Sequence, residues 1–466
     1  MLHNRVMTRR DLLLLAAGVP AFAGAARDVA REPRLRGGFR KAELQKGWII
    51  VRLEGGPGEI GFQHGSLLAS EILDCHRAIA LGLTHDAKPY SFYREAVEKL
   101  FWPHVESEYQ QELKGMAEGL ASRGIKLDVW DLAVMNASLE LPYYTAWLDR
   151  KKPIVAERCS AFVATGSYTK DGHIVVGHNC WSDYLSGGRW NVIFDIRPTQ
   201  GQRFIMDGLP GLIHSGDDYG VNSAGLIITE TTISQFTGFD TAGIPEFVRA
   251  RKAMQYAKTI DDFAAIMKDG NNGGYANTWL VADTKTDEIA SLELGLKNVT
   301  LERKSDGYFV GSNFPKNEKL IAEETDYNPA DMSISGNARR QRWEQLMAEY
   351  KGRIDVAAGQ RFLADHYDSY SKKKEPGERS LCGHIDLSNR GLKPWAPAYG
   401  PMGAVQNKVA DAALAKNMAF TAHFGHACGV KFKADEHLRK HSDFAWQKGV
   451  LKDIPAPGWT TVRASS

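Results

Sequence analysis

Cysteine is scarce in this 466-residue chain, and the five present, Cys75, Cys159, Cys180, Cys382 and Cys428, include no CxxC pair. Neither a zinc-finger spacing nor a disulfide scaffold is visible, and the odd number leaves at least one thiol unpaired. An excess of charge of one sign is also missing: 58 Lys and Arg stand against 56 Asp and Glu, with Arg5, Arg9 and Arg10 at the amino terminus. A neutral body argues against a nucleic-acid partner held through phosphates. There is no internal repeat and no low-complexity tract. Beyond residue 26 no run is apolar and long enough to span a bilayer, so no transmembrane segment is expected in the mature protein. What is there is ordinary globular composition, 43% hydrophobic and 24% charged, with length for two or three domains of roughly 100–200 residues each.

The amino terminus reads as an address. Arg9-Arg10 precede an apolar run, Leu12 to Ala26, which is shorter than the roughly 20 residues a membrane helix needs and ends in small residues. Ala21-Phe22-Ala23 forms an A-x-A cleavage site. This is the pattern of a twin-arginine export signal, which sets residues 1–26 apart from the fold and places the mature protein in the periplasm or outside the cell.

Residues 27–158 read as a mainly helical part. A strand is expected over 47–54, then long amphipathic helices over 59–83 and 92–123 and a third from Val129 to Asn136. A charged stretch, Asp149 to Arg158, has the look of an exposed linker. After it the period changes to two. Short strands are expected at 159–165, 173–177, 190–196, 203–206 and 225–230, a helix at 245–268, and strands again at 278–283, 288–294, 299–303 and 308–311. Helices follow near 337–350, 356–366 and 403–417. Thr259 and Asp262 are spaced as a capping box. Two groups of strands separated by helices predict an α+β fold of antiparallel sheets with flanking helices over residues 159–466.

Cys159 stands at the junction, directly after the linker. If the Arg158–Cys159 peptide were cut, Cys159 would gain an α-amino group of pKa about 7.7–8.0 beside its thiol of about 8.5. The amine can then act as general base for its own side chain; before cleavage the nitrogen is an amide and cannot. As a lone feature, a buried cysteine is more often a small hydrophobe.

The neighbourhood shifts that balance. Cys159-Ser160-Ala161, His178-Asn179-x-Trp181-x-x-Tyr184, Pro210-Gly211 with Ser215-x-Asp217-Asp218, and Gly225-Leu226 leading to Glu230-Thr231-Thr232-Ile233 occur in order. Gly274-Tyr275-x-Asn277-x-Trp279, Ser312-Asn313-x-Pro315, Ala338-Arg339 and Asp386-Leu387 follow. As a set these motifs resemble the phospholipase B-like family of amino-terminal nucleophile hydrolases, related to penicillin-type amide acyltransferases. The earlier segment Glu59 to Leu68 looks like the opening of both. The resemblance implies a four-layered αββα sandwich, self-cleavage before Cys159 and a site built on Cys159, His178, Thr232, Asn313 and Arg339.

In that resemblance Asn313 is the side-chain donor to an oxyanion, worth roughly 3 kcal/mol. Thr232 lines the site and offers its hydroxyl or backbone N–H as a second donor. His178 hydrogen-bonds near the cysteine or holds the new amine. Arg339 steadies an acidic group or a substrate oxygen, although Arg340 beside it is equally basic. Related bile-salt hydrolases carry Arg where this chain has His178 and Asp where it has Trp181, which casts doubt on a bile-salt or penicillin substrate. A rival reading takes His423-x-x-His426-x-Cys428, or His173, His178 and Cys180, as metal ligands. Neither matches HExxH or a CxxC pair, and no cofactor or metal is expected. The expected activity is hydrolysis of an acyl amide or lipid ester, with acyl transfer to an amine or a silent binding protein as alternatives.

Overall fold

Along the strand Cys159–Thr165, side chains alternate between two different cores. Ala161 and Val163 enter a cluster with Ile193, Ile205, Val221, Ile227 and Leu280. Phe162 and Ala164 enter another with Trp343, Leu346 and Phe362. A strand buried on both faces belongs to an inner layer, and period-two alternation is what divides its residues between the faces.

The computed structural model describes residues 32–85, 88–150, 159–216, 219–392 and 396–465. The export signal expected at 1–26, residues 151–158 of the linker, and Asp217 and Asp218 lie outside the described residues. The chain divides into a unit Met1–Arg36, whose described part holds one 3-10 turn at Pro33–Leu35, and a unit Gly37–Ser466. Everything below concerns the second.

Its strands in chain order are β1 (Phe39–Arg40), β2 (Ile49–Gly55), β3 (Cys159–Thr165), β4 (Val175–Asp183), β5 (Val192–Pro198), β6 (Phe204–Gly208), β7 (Tyr219–Asn222), β8 (Leu226–Thr232) and β9 (Asn277–Asp283). They continue with β10 (Glu288–Leu294), β11 (Val299–Lys304), β12 (Gly307–Gly311), β13 (Tyr367–Asp368), β14 (Lys373–Lys374), β15 (Met402–Asp411), β16 (Ala419–Phe424) and β17 (Thr460–Arg463). Nine form one sheet, β1-β2-β5-β6-β7-β8-β9-β10-β11, and six form another, β12-β3-β4-β15-β16-β17. Every pairing is antiparallel except β2 with β5.

The two sheets share the core of Ala161, Val163, Ile227 and Leu280. The outer face of the nine-stranded sheet, with Phe194, Met206, Ile228 and Val281, packs on Leu113, Met116, Phe247 and Phe263 of helices Ser107–Ala121, Glu246–Tyr256 and Ile260–Lys268. The outer face of the six-stranded sheet packs on helices Ser335–Glu349 and Val356–Leu363. The order is helix, sheet, sheet, helix: an αββα sandwich of antiparallel sheets and helices, as expected.

Departures have local causes. The helix expected over 59–83 breaks at Leu68 into Pro57–Leu67 and Ala69–Thr84, and the one over 92–123 breaks around Pro103, which cannot donate to a helical ladder. The first of these pieces lies against helix Ser107–Ala121 closely enough that a Cβ on Gly61 or Gly65 would strike the carbonyls of Glu112 and Met116. Of the helix expected near 403–417 only Ala412–Lys416 is helical, and residues 403–411 are instead in β15. Its inward residues Gln406, Lys408 and Ala410 alternate with outward Asn407 and Val409, and pairing with both β4 and β16 overrides the weak propensity. The capping box is present: Thr259 Oγ1 accepts from Asp262 N at 3.1 Å. Among the described residues no helix is long and apolar enough to cross a membrane.

Candidate active site

Cys159 is the first residue of β3 and is buried. Antiparallel pairing sets Gly311 of β12 opposite Ala161, so the chain leaving β12 runs two residues further and brings Asn313 beside Cys159. Asn313 has φ of +71°, a left-handed conformation that asparagine tolerates better than most residues. Its Oδ1 accepts from the Cys159 backbone N–H at 3.3 Å and from Arg339 Nη2 at 2.8 Å. A guanidinium only donates, so Arg339 fixes which end of the amide is oxygen. The amide nitrogen then donates to the Thr232 carbonyl at 2.8 Å.

Arg339 enters from the first turns of helix Ser335–Glu349 and is fully buried. Nε donates to Ser335 Oγ one turn earlier at 3.0 Å, and Nη1 donates to Cys159 O at 2.6 Å and Ser160 Oγ at 2.9 Å. Its guanidinium carbon lies 4.3 Å from the Trp181 ring centroid, a cation–π contact whose strength grows on desolvation. Arg340, by contrast, pairs with Glu344 at the surface. The structure thus resolves the register: Arg339 is the arginine at the cysteine.

Thr232 is present through its main chain. Its hydroxyl points to the other side of β8 and donates to Tyr275 OH at 2.7 Å, so the carbonyl, which holds Asn313, is the group near Cys159. His178 is one step away. Register places Cys159 opposite Cys180 and Ala161 opposite His178, so His178 is a diagonal neighbour of the cysteine on the same inter-sheet face. On its other side His178 faces Lys408 of β15. Lys408 Nζ reaches Asp207 Oδ2 of the opposite sheet at 3.3 Å, and Gln406 Nε2 donates to the same oxygen at 2.6 Å. Lys408 and Asp207 are both fully buried, so this pair bridges the sheets beside the site. Removing one partner would leave an uncompensated charge in low dielectric.

Cys159, Asn313, Arg339 and the Thr232 carbonyl therefore meet at one point, with His178 adjoining. Ser160, Ser335, Tyr275, Asp207, Gln406 and Lys408 were not foreseen in any role. Ser335 had a faint signal, its four-residue spacing from Arg339 on a helix, and Lys408 another, a lone cation inside an apolar strand. The second set of metal ligands considered does not assemble: His173 is half-exposed on a turn and bonds Asp287 Oδ2 at 2.9 Å, whereas His178 and Cys180 are buried. His423 Nδ1 turns to the Gly425 carbonyl at 3.3 Å.

Chemically, the arrangement grips the cysteine's nitrogen with an acceptor and surrounds its carbonyl with a buried cation. Negative charge developing on sulfur or on an attacked carbonyl is favoured beside a buried guanidinium. Cys75 offers the contrast: it sits in the apolar core, and burial pushes its thiol up to about 12, which keeps it protonated and inert. A cavity of about 530 Å³, lined by Ile79, Leu83, Leu185, Trp190 and Trp446 among others, adjoins Ser182 and Asp183 at the end of β4 that pairs with Cys159. Cys159 does not line it.

An αββα sandwich with a cysteine at the head of an inner strand, its nitrogen on an asparagine amide, defines a class of hydrolase-like folds. Within that class the chain belongs to the Phospholipase B family, which it matches over residues 88–458. It is 25% identical over 429 residues to an uncharacterized protein of Archaeoglobus fulgidus, covering 84% of this chain and 69% of that one. It is 26% identical to human Phospholipase B-like 1, covering 52% of this chain and 47% of the relative. To the Phospholipase B of Crotalus adamanteus it is 25% identical, covering 54% and 48%. The chain thus spans about half the length of these phospholipase B relatives. Among solved structures it is similar to a mutant conjugated bile acid hydrolase from Clostridium perfringens, at 10% identity and TM-score 0.34 over 57% of this chain and 89% of that one. It is also similar to penicillin V acylase from Agrobacterium tumefaciens, at 11% and 0.31 over 58% and 83%. Family membership supports a hydrolase.

Proposed function

We propose that the chain is an exported acyl hydrolase that cuts itself between Arg158 and Cys159 and then uses Cys159 as its nucleophile. The observation that carries this reading is the hydrogen bond from the Cys159 backbone N–H to Asn313 Oδ1, inside a site that also gathers Arg339 and Thr232. An acceptor aimed at that nitrogen is suited to orient an α-amine once the peptide bond before it is gone.

In maturation the Cys159 thiol adds to the Arg158 carbonyl while its proton passes through water to the departing nitrogen, the C–N bond breaks to leave a thioester and a free amine, and water hydrolyses the thioester to the Arg158 carboxyl and the thiol. In turnover the amine takes the thiol proton and sulfur attacks the acyl carbon. Arg339 and the second N–H of the Asn313 amide steady the oxyanion. The leaving amine or alcohol receives the proton, and water, deprotonated by the Cys159 α-amine, adds to the thioester, whose C–S bond breaks to release the acid and return the proton to sulfur. The acyl bond is an amide or a lipid ester, and the apolar cavity at the end of β4 is of a size to take an acyl chain. Residues 27–158 and 159–466 are then the two products of cleavage.

Intact-mass measurement of the purified chain beside Cys159→Ala tests the maturation step. Two fragments split at 158/159 are expected from the first and one chain from the second. A single unmodified chain after incubation under acidic and neutral conditions would overturn the cleavage, and acyl-amide and phospholipid release assays then decide whether any hydrolysis remains.

A further inference from the structure

Four side chains from three separate stretches of the chain, His366, Cys382 with His384, and Cys428, converge so that their ligand atoms all lie within 4.8 Å of one another. Cys382 Sγ is 3.5 Å from His384 Nε2, and Cys428 Sγ is 3.4 Å from the same nitrogen. A tetrahedral zinc with Zn–S of about 2.3 Å and Zn–N of about 2.0–2.1 Å has S···N edges of about 3.5 Å, so the thiols and imidazole already stand at the spacing of ligands. His384 is fully enclosed, and its Nδ1, 3.8 Å from Asp386 Oδ1, is placed to orient the ring so that Nε2 faces the two sulfurs, while His366 Nε2 is buried without a hydrogen-bond partner. His426 is not the missing fourth ligand. Although it stacks on His384 at 4.2 Å, its Nε2 is engaged by Tyr184 OH at 2.8 Å and its Nδ1 by the Val430 carbonyl at 2.9 Å.

The surroundings need a staple. Between helix Val356–Leu363 and β15 the described chain has only the β13–β14 hairpin of two residues per strand and one 3-10 turn, Ile385–Leu387. Yet this stretch backs the active site: the Leu381 carbonyl accepts from Asn179 Nδ2 at 2.8 Å and from Trp181 Nε1 at 3.2 Å, and Gly383 lies so close to the Trp181 indole that a Cβ there would strike the ring on which Arg339 also packs.

We propose that His366, Cys382, His384 and Cys428 bind one structural zinc ion. Two thiolates and two imidazoles form a donor set that suits zinc, and four protein ligands close the site, leaving no open position for catalysis. The ion joins the segment after helix Val356–Leu363, the loop holding Cys382 and His384, and the segment after β16, and so fixes the wall behind Trp181. This revises the expectation of a metal-free chain. His366, Cys382 and His384 form no local motif, and only Cys428 belonged to a set considered from sequence.

The test adds zinc, and separately cobalt, to the reduced, metal-stripped full chain. One zinc per chain by elemental mass spectrometry is expected for the unmodified protein and for Cys75→Ala, falling to background in Cys382→Ser and His384→Ala. Cobalt should give near-ultraviolet thiolate charge-transfer absorption and the visible bands of a tetrahedral ion, a readout that needs no variant to fold. No bound zinc and no thiolate band in the unmodified chain would overturn the proposal. So would purified protein in which alkylation and intact mass show Cys382 and Cys428 joined as a disulfide that excludes metal.

Discussion

The two thiol centres of this protein are built from opposite materials. Cys159 heads a strand, and its partners Asn313, Thr232 and Arg339 arrive on strand ends and a helix, so sheet register and the packing of regular layers determine who meets whom. Cys382 and Cys428 sit in irregular chain, surrounded by imidazoles and not by backbone ladders. Where the scaffold is regular, a nucleophile can be positioned by hydrogen bonds of modest individual worth. Where it is not, four strong bonds to one ion do the work of a missing sheet.

The comparison breaks most sharply at Cys159 itself: Cys159→Ala should abolish self-cleavage and lower acyl release by on the order of a thousandfold or more, read by intact mass and product assay. Asn313→Ala should lower kcat by about 10²–10³ with the fold retained by near-ultraviolet circular dichroism. At the other centre the expected damage is to stability and not to chemistry. Cys382→Ser should lower Tm by roughly 5 °C in zinc-containing buffer, with no such change when zinc is withheld from both proteins. Arg339→Lys keeps the charge but loses the fork to Cys159 O, Ser160 and Asn313, and should cost about tenfold in kcat.

A smaller effect separates both centres from the general cost of buried charge. Burial, helped by Glu246, pushes the Glu140 carboxyl up to about 7 from an ordinary 4.5. The folded chain therefore holds a proton that the unfolded chain releases between those values. Glu140 thus contributes stability that is present below pH 4.5 and is lost as pH rises through 7. Glu140→Gln should remove from the pH 5 to pH 8 difference in urea unfolding free energy an amount on the order of 2 kcal/mol, while the zinc content stays unchanged.

The same contrast explains what was legible in the sequence. Strands such as β3, β9 and β10 declared themselves because each residue pair alternates between two cores, a pattern local to the strand. β15 did not, because Gln406, Asn407 and Lys408 interrupt its apolar residues and only β4 and β16 on either side make it a strand. Cys159, Asn313 and Arg339 were readable as motifs that stand beside one another once β12 pairs with β3. The use of Thr232 through its carbonyl was not, since motifs carry side chains and not main-chain directions. Lys408 with Asp207, and the gathering of His366, the Cys382–His384 loop and Cys428, depend on contacts between segments far apart in the chain, for which no spacing rule exists.

β2 has a consequence of its own. It lies between β1 and β5, and Val51 and Leu53, with Trp48 just before it, are fully buried. On the proposed cut, residues before 158 would still supply two strands of the nine-stranded sheet, so the products form an obligate pair whose parting exposes that core. Maturation should therefore be silent to sedimentation and native electrophoresis, and show only when the chain is denatured, like a lock whose two halves turn as one piece until the case is dissolved.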